Sequence, residues 1–268
     1  MSDQSEGPTP VRVGVQVQPQ HADFDNMRRA WRELDELGVD VIYTWDHFYP
    51  LNGDPDGKHF ECLTSMASLA ENTERAEIGA LVVCNSYRNP ELLADAHRTI
   101  DHISGGRVVL GIGAGWFEKD YDQYGYEFGT VGSRLRALGE SLPRIRARLD
   151  KLNPPPLRRM PILIGGGGVK VTLRLVAEHA DAWHGFGDAD TYRRKAEILA
   201  EHCANARRDP AEIERSWSVG GDRVEHAEAL RAAGVQQLVV GLSGDGSGYD
   251  LGPVRELIAW RDGVNAAA

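Results

Sequence analysis

The sequence predicts an α/β fold, a single-domain (β/α)8 TIM barrel. Eight short apolar segments follow one another along the chain, and a segment with helical spacing of apolar residues comes after each. The apolar segments lack polar alternation, which is typical of parallel strands buried on both faces. The 268 residues are also enough for one such barrel. A doubly wound open sheet is the alternative, but eight successive units of uniform composition favour the barrel.

The predicted strands are short apolar runs bounded by turn residues. They cover residues 11–17, 39–44, 76–83, 107–112, 161–164, 181–183, 216–219 and 237–241. The predicted helices cover residues 24–37, 60–72, 90–104, 133–149, 170–179, 192–207, 225–233 and 253–260. Asp23 is expected to cap the first helix and Gly38 to end it, while Asn89-Pro90 opens the third. Residues 1–10 are expected to form a flexible tail, and residues 11–262 the barrel domain.

Three connecting segments are unusual in composition. Residues 113–132 contain six aromatic side chains and are predicted to be a loop: a lid over a flat ligand, a packed surface loop or an oligomer contact. Pro143 should kink the helix after this loop or mark its true start. The prolines at 154–156 are expected to form a stiff connector within one domain. The last residues, ending at Ala268, are expected to be loose.

Bulk composition excludes several classes of function. The formal charge is −10 and no block of Lys and Arg is present, so nucleic acid is not an expected partner. The three cysteines are far apart and are expected to be free thiols in a reducing cytoplasm. No apolar run approaches the roughly 18 residues that span a membrane. No zinc-ligand spacing and no G-x-S-x-G motif occurs.

Candidate site residues follow the strands, because the active sites of such barrels lie at the carboxyl ends of the strands. These residues are Gln16, Gln18, His21, Asp46, His47, Cys84, Asn85, Ser86, Tyr87, Arg88, Gly113, Ala114, Gly115, Trp116, Gly165, Gly166, Gly167, Gly168 and His184. Asp46 and His47 are the most specific pair. A histidine here can exchange protons near neutral pH, and a neighbouring carboxylate can orient it or contact a ligand. The alternative is a helix-capping aspartate beside a surface histidine.

Two glycine segments indicate a cofactor. Gly111, Gly113 and Gly115 stand at alternate positions at the end of the fourth strand, and Gly165 to Gly168 follow the fifth. Bare backbone there would let a flat ring and a phosphate approach closely. Residues 165–168 lack the spacing of a Walker A motif. Residues 111–115 do not form a G-x-G-x-x-G motif, because Trp116 stands where its last glycine would be. A tight strand-to-helix turn is the alternative for residues 165–168.

Several segments together resemble the luciferase-like monooxygenase superfamily, and within it the branch of oxidoreductases that use the deazaflavin coenzyme F420. The segments are TWDHF (44–48), YRNP (87–90), SGGR (104–107), LGIGAGW (110–116) and PILIGGGG (161–168). The resemblance extends from about Val11 to Trp260 and rests on the order and spacing of the motifs. It implies a TIM barrel and a homodimer.

The resemblance also implies roles for individual residues. Asp46 would contact the deazaflavin ring, and His47 would be the acid/base partner of the substrate. Gly113, Ala114 and Gly115 would line the ring and the ribityl chain, while Gly165, Gly166, Gly167 and Gly168 would hold the phosphate. A non-proline cis peptide bond within residues 81–85 would support the ring, which places Cys84 and Asn85 beside the cofactor. Members that oxidise a sugar phosphate carry an acid at the position of Trp116, so that substrate is not expected.

The resemblance implies hydride transfer between F420 and a small organic substrate. One alternative is an FMN-dependent monooxygenase of the same fold. Another is a flavin-binding protein without catalytic activity, which the Asp46-His47 pair disfavours.

Overall fold

A computed structural model describes residues 10–220 and 223–267, in which parallel strands close into a barrel. The strands are β1 (Arg12–Val17), β2 (Val41–Thr44), β3 (Glu77–Ala80), β4 (Val83–Cys84), β5 (Val108–Gly113), β6 (Ile162–Gly165), β7 (Ala182–Gly185), β8 (Glu214–Ser218) and β9 (Gln237–Leu242). β1 pairs with β2 on one side and with β9 on the other, and β3 pairs with β5. β3 and β4 are two parts of one barrel strand. The predicted (β/α)8 barrel is therefore confirmed; of the predicted tail, residues 1–9 lie outside the described residues.

Helices surround the barrel. They are α1 (Phe24–Leu37), α2 (Cys62–Glu71), α3 (Pro90–Ser104), α4 (Glu118–Tyr124), α5 (Val131–Leu149), α6 (Thr172–His179), α7 (Ala189–Ala206), α8 (Arg223–Ala233) and α9 (Gly252–Ala266). Asp23 stands at the predicted N-cap position of α1, but its side chain makes no capping hydrogen bond. Gly38 ends the helix as predicted, in the left-handed conformation at φ +82°. The side chain of Asn89 accepts hydrogen bonds from the first N–H groups of α3.

The main core lies between the strands and the helices. In α1, Met27, Trp31 and Leu34 recur at helical spacing and are all fully buried. The outward faces of the strands meet them with small and branched side chains such as Val15 and Val240. Burial of a side chain of this size stabilises the fold by about 1.5–3 kcal/mol. Because this layer fixes the strands, the loops that follow them have a rigid base.

Polar side chains occupy part of the interior of the barrel, beside a buried apolar cluster that includes Val109, Leu163 and Val239. At the amino-terminal end, the guanidinium of Arg12 donates to both carboxylate oxygens of Glu214, at 2.9 and 3.1 Å, and forms a second ion pair with Glu77. In the next layer the Tyr43 hydroxyl donates to Oε1 of Gln237 at 3.0 Å, and so does the Ser216 hydroxyl at 2.8 Å. The barrel is therefore filled along its axis from the amino-terminal end upward.

The predicted third strand is interrupted. It divides into β3 and β4 around Leu81 and Val82, whose peptide bond is cis. This is a non-proline cis bond within the range that the family resemblance implies. The Leu81 carbonyl accepts a hydrogen bond from the Gln16 side chain at 2.6 Å, so β1 holds the interruption in place.

The aromatic segment is not wholly a loop, because it contains the helix α4. α5 begins at Val131, two residues before the predicted start, where Thr130 and Ser133 form a reciprocal capping box. Pro143 lies inside α5 and does not mark its start. An interior proline costs a helix about 3 kcal/mol. Leu138 and Leu142 precede it and Ile145 follows it in the core, so packing offsets this cost on both sides.

The last helix is longer than the sequence suggests, while Ala268 lies outside the described residues. α9 continues to Ala266, beyond the predicted end at 260 and beyond the predicted domain boundary at 262. The Asn265 side chain accepts from the Val11 N–H at 2.8 Å and donates to the Val11 carbonyl at 2.9 Å. These two bonds tie the last helix to the start of β1, so residues 263–266 belong to the barrel domain.

Candidate active site

The two glycine segments lie side by side at the carboxyl ends of β5 and β6, which pair through Ile112 and Ile164. A Cβ atom added to Gly113 would lie 2.8 Å from Cγ2 of Val82 and 3.7 Å from the carbonyl oxygen of Gly165. One added to Gly165 would lie 2.9 Å from Cγ1 of Val82. The absence of side chains at both positions therefore makes room for Val82. Together Val82, Gly113 and Gly165 form a surface at the mouth of the barrel, which we call the Val82 floor.

Packing within the protein requires a glycine at position 115. Its φ is +83°, and a Cβ there would overlap the Tyr121 hydroxyl and lie 2.5 Å from Sγ of Cys84. The Cys84 sulfur and the Tyr121 hydroxyl are 3.2 Å apart, and burial raises the pKa of the thiol. Cys84 is thus a neutral, buried thiol beside the mouth, and the other two cysteines are also buried and unpaired, as predicted. The predicted cofactor contacts of Cys84, Asn85, Ala114 and Gly115 stay predictions.

His47 is held by a buried carboxylate. Its Nδ1 lies 2.8 Å from Oδ2 of Asp120, whose side chain is 0% exposed. The Tyr87 hydroxyl donates to the same oxygen at 3.0 Å, and the backbone N–H of Phe48 donates to Oδ1 at 3.1 Å. With Nδ1 engaged, Nε2 is the ring nitrogen left for a ligand. This histidine–carboxylate arrangement fixes the orientation of the ring.

Aromatic rings enclose His47. The rings of Trp45, Trp116 and Phe117 contact its imidazole edge-to-face, with centroid distances of 5.6, 5.7 and 5.4 Å. Trp116 is nevertheless 63% exposed, so one of its faces is available to a ligand at the mouth. The surroundings of the histidine are apolar on three sides.

Asp46 points to a different set of partners. Its oxygens accept from the Arg88 guanidinium at 2.5 and 2.9 Å, and Oδ2 also accepts from the Cys84 N–H at 2.9 Å. Burial raises the pKa of the Asp46 carboxyl, and the facing Arg88 guanidinium acts in the opposite direction. Arg88 also pairs with Glu61 at 2.6 Å. This ion pair anchors the end of β4 below the mouth, and the predicted contact of Asp46 with the deazaflavin ring stays a prediction.

In the second glycine segment, Gly166 is fixed by hydrogen bonds to β7. The Gly166 N–H donates to the His184 carbonyl at 3.0 Å, and the Gly166 carbonyl accepts from Nε1 of Trp183 at 2.7 Å. Gly166 has φ +124°, which only glycine adopts readily. Within the described residues, the N–H groups of Gly167 and Gly168 donate to no protein acceptor. These two groups are available to an anion.

His184 points into the barrel. Its Nδ1 lies 2.9 Å from the Ser216 hydroxyl, and its Nε2 lies 3.1 Å from the Ser218 hydroxyl. Burial lowers its pKa to about 3. His184 is therefore a neutral member of the polar groups inside the barrel. The exposed ring of Phe186 covers it at 5.0 Å.

Two buried histidines predict acid sensitivity. Burial lowers the pKa of His184 to about 3 and that of His97 to about 4, from an ordinary value of 6.5. Between these values the unfolded chain binds protons that the folded chain does not. We therefore expect each histidine to lower the free energy of unfolding by about 1.4 kcal/mol per pH unit below 6.5. Urea denaturation at pH 7 and pH 5 would measure this loss.

The variant His97→Leu isolates the contribution of His97 to the loss of stability on acidification. Nε2 of His97 has no hydrogen-bond partner among the residues described, so leucine is a tolerable replacement. The variant should lose stability less steeply on acidification than the natural chain. His102→Leu, on the exposed face of α3, is the control. An unchanged slope in His97→Leu would contradict the expectation.

Several site residues are not assigned a role from the sequence. Asp120 is not identified at all, and Tyr87 and Arg88 are noted for their place after a strand and within the YRNP motif, without a role. His59, whose Nε2 accepts from Nε1 of Trp45 at 3.1 Å, is also missed. The spacing of Phe117, Asp120, Tyr121 and Tyr124 is helical and could have indicated α4 and its buried face.

Two other features, a metal-binding cluster and a membrane-spanning helix, are not found in the described part of the chain. It holds no group of three or more His, Cys, Asp or Glu side chains arranged to bind a metal ion. A search of its helices for a membrane-spanning segment finds none that is both long and apolar enough.

Comparison with known proteins agrees with this architecture. The family model of luciferase-like monooxygenases matches residues 8–238. An F420-dependent glucose-6-phosphate dehydrogenase from Amycolatopsis mediterranei is 35% identical over 114 residues, which are 42% of this chain and 34% of that protein. The match thus spans about a third of the relative's length.

Two solved structures share the fold at low identity. An F420-dependent secondary alcohol dehydrogenase in complex with an F420-acetone adduct gives a TM-score of 0.82 at 16% identity, over 94% of this chain and 99% of that one. The FMN complex of the oxygenating constituent of 3,6-diketocamphane monooxygenase from Pseudomonas putida gives 0.63 at 16% identity, over 78% and 67% of the two chains. These likenesses show the fold, and the family model covers most of the sequence. The chain belongs to the luciferase-like monooxygenase family.

Proposed function

We propose that this protein is an F420-dependent oxidoreductase that transfers a hydride between the deazaflavin and a small organic substrate, with His47 as proton donor or acceptor. The observation that carries the proposal is the His47 imidazole, held by the buried Asp120 at the same end of the barrel as the Val82 floor. The F420-dependent dehydrogenase from Amycolatopsis mediterranei supports the choice of cofactor.

The residues at the mouth fit a flat ring that carries a phosphate. The Val82 floor is an apolar surface without side chains on Gly113 or Gly165, so a planar ring can lie against it. The free N–H groups of Gly167 and Gly168 lie along the adjoining loop, where a phosphate could accept from them. When bound, the deazaflavin would supply a ring carbon that gives or takes a hydride.

The chain itself would supply proton transfer and orientation. Asp120 fixes the His47 ring through Nδ1, so Nε2 can take a proton from a substrate hydroxyl or return one to a carbonyl oxygen. Tyr87 and the Phe48 N–H hold Asp120 in turn. The rings around His47 exclude water from three sides of the imidazole.

The same rings favour an uncharged substrate. Trp116 stands where an acid is expected in members that oxidise a sugar phosphate, and its exposed face offers an apolar contact. A small alcohol or ketone fits these surroundings. The alcohol dehydrogenase that shares the fold was solved with an F420-acetone adduct, which supports this class of substrate.

An FMN-dependent luciferase-like monooxygenase is the second candidate. The family description and the FMN-bound monooxygenase with the same fold favour it. A flavin-binding protein without catalysis is the third possibility. A homodimer and a cytoplasmic location stay predictions.

Cofactor titration tests the proposal. F420 and FMN are added separately to one preparation of the apoprotein, and bound cofactor is followed by absorbance and fluorescence. We expect F420 to bind at least about tenfold more tightly than FMN. Preferential binding of FMN would support the monooxygenase instead. Binding of neither cofactor would overturn both, and F420 binding without hydride exchange with any alcohol or ketone would support the non-catalytic alternative.

A further inference from the structure

A lysine from another helix crosses the second glycine segment. Lys195 lies on α7, and its side chain runs past Gly167 so closely that a Cβ there would overlap its ammonium. The same Cβ would lie 3.1 Å from Cε and 3.4 Å from Cδ of the lysine. Gly167 therefore lacks a side chain at the point where the Lys195 ammonium rests.

Among the residues that the structure describes, this ammonium has no counter-charge. In residues 10–220 and 223–267, Lys195 forms no ion pair and no hydrogen bond, whereas Arg193 on the same helix pairs with Asp190 at 2.6 Å. Nζ lies 5.8 Å from the centre of the Trp217 ring. Burial, and then the nearby Arg194, lower the pKa of Lys195. A bound anion would offset both effects.

Other donors surround the same point. The N–H groups of Gly167 and Gly168 have no protein acceptor in the described part of the chain. Thr172 contacts the loop from the start of α6, since a Cβ at Gly168 would lie 2.8 Å from its hydroxyl oxygen. Gly166 is held by its bonds to β7, so the loop is already fixed. The structure thus brings a cation next to Gly167 and a hydroxyl next to Gly168, on the loop whose two backbone N–H groups lack a protein acceptor in the described residues.

We propose that Lys195 is the residue that recognises the phosphate of the cofactor's ribityl chain, together with the N–H groups of Gly167 and Gly168. The proposal rests on the proposed function, because it takes the ligand to be a ring that carries a ribityl phosphate. It adds a charged side chain to a loop that otherwise offers backbone and hydroxyl groups. A lysine supplies a compact positive charge, which suits a phosphate oxygen.

Binding of two ligands that differ only in the phosphate tests this role. The probes are the deazaflavin that carries the ribityl chain without phosphate and its 5′-phosphate, and the readout is the dissociation constant from fluorescence titration, without turnover. In Lys195→Gln we expect the dissociation constant of the phosphorylated probe to rise by about 10- to 100-fold, the usual loss for a hydrogen bond to a charged group. The phosphate-free probe should bind as it does to the natural chain.

Two further variants sharpen the result. Arg194→Gln removes the same charge from the adjacent exposed position of α7 and should leave both dissociation constants unchanged. Gly167→Ala keeps the lysine but places a methyl group where the ammonium rests, so it should weaken only the phosphorylated probe.

The outcomes separate this proposal from the proposed function. If Lys195→Gln weakens both probes equally, or neither, the role of Lys195 is wrong while the cofactor assignment stands. If the natural chain binds FMN and riboflavin instead, the same comparison with that pair tests Lys195 although the F420 assignment fails. If the natural chain binds none of these four ligands, both proposals are overturned.

Discussion

Replacing His47 with glutamine is expected to lower kcat by about 10²- to 10⁴-fold, the usual loss when a general acid or base is removed. Glutamine can still bond to Asp120 but cannot carry a proton between substrate and solvent. The measurement is deazaflavin reduction by an alcohol that the natural chain oxidises. The dissociation constant of F420 should change little, because the floor formed by Val82, Gly113 and Gly165 is intact.

Asp120→Asn tests the partner of His47. Asparagine keeps the size of the side chain but can no longer accept a charge-assisted hydrogen bond through both oxygens. It should lower kcat in the natural background and have little further effect when His47 is already glutamine. His102→Gln, on the outer face of α3, is the control. Near-normal turnover in His47→Gln would remove His47 from the mechanism.

Replacing Arg88 with methionine is expected to destabilise the protein by about 3–5 kcal/mol, because it leaves the buried Asp46 carboxylate without its cation. The side chain of Asp46 is 0% exposed, so water cannot replace the guanidinium. The loss should be smaller at pH 4 than at pH 7, since a buried carboxyl with a raised pKa is relieved by protonation. Urea denaturation at both pH values measures it.

Two controls accompany this variant. The double variant Arg88→Met with Asp46→Asn removes both charges and should recover much of the lost stability. Arg144→Met breaks the ion pair with Glu91 on the surface, which spans 2.7 Å, and should have little effect. A loss no greater than that of Arg144→Met would show that the Asp46–Arg88 pair contributes little to stability.

The repeating units of the barrel were predictable because their pattern is local. Apolar runs and helical spacing identify β1, β6 and α1 within a few residues each. The exceptions depend on distant contacts. The interruption after Ala80 is held by Gln16 from β1, and Pro143 is tolerated because both of its flanks pack into the core.

The site was predictable only in part for the same reason. His47 and the glycine segments are local motifs, but the partner of His47 lies 73 residues further along the chain. Asp120 reaches it because α4 turns the aromatic segment back over the mouth, which composition alone does not show. Lys195 is likewise placed by the packing of α7 against a loop that precedes it by about one strand and one helix.

The cluster of Arg12, Glu77 and Glu214 has a consequence for how molecules enter and leave. Because these side chains close the amino-terminal end of the barrel, the proposed coenzyme and substrate would both enter and leave at the carboxyl end. In the proposed function the coenzyme ring lies against Val82, so it would bind before the substrate and dissociate after the product. Steady-state kinetics would follow an ordered sequence, in which the product leaves before the coenzyme is exchanged.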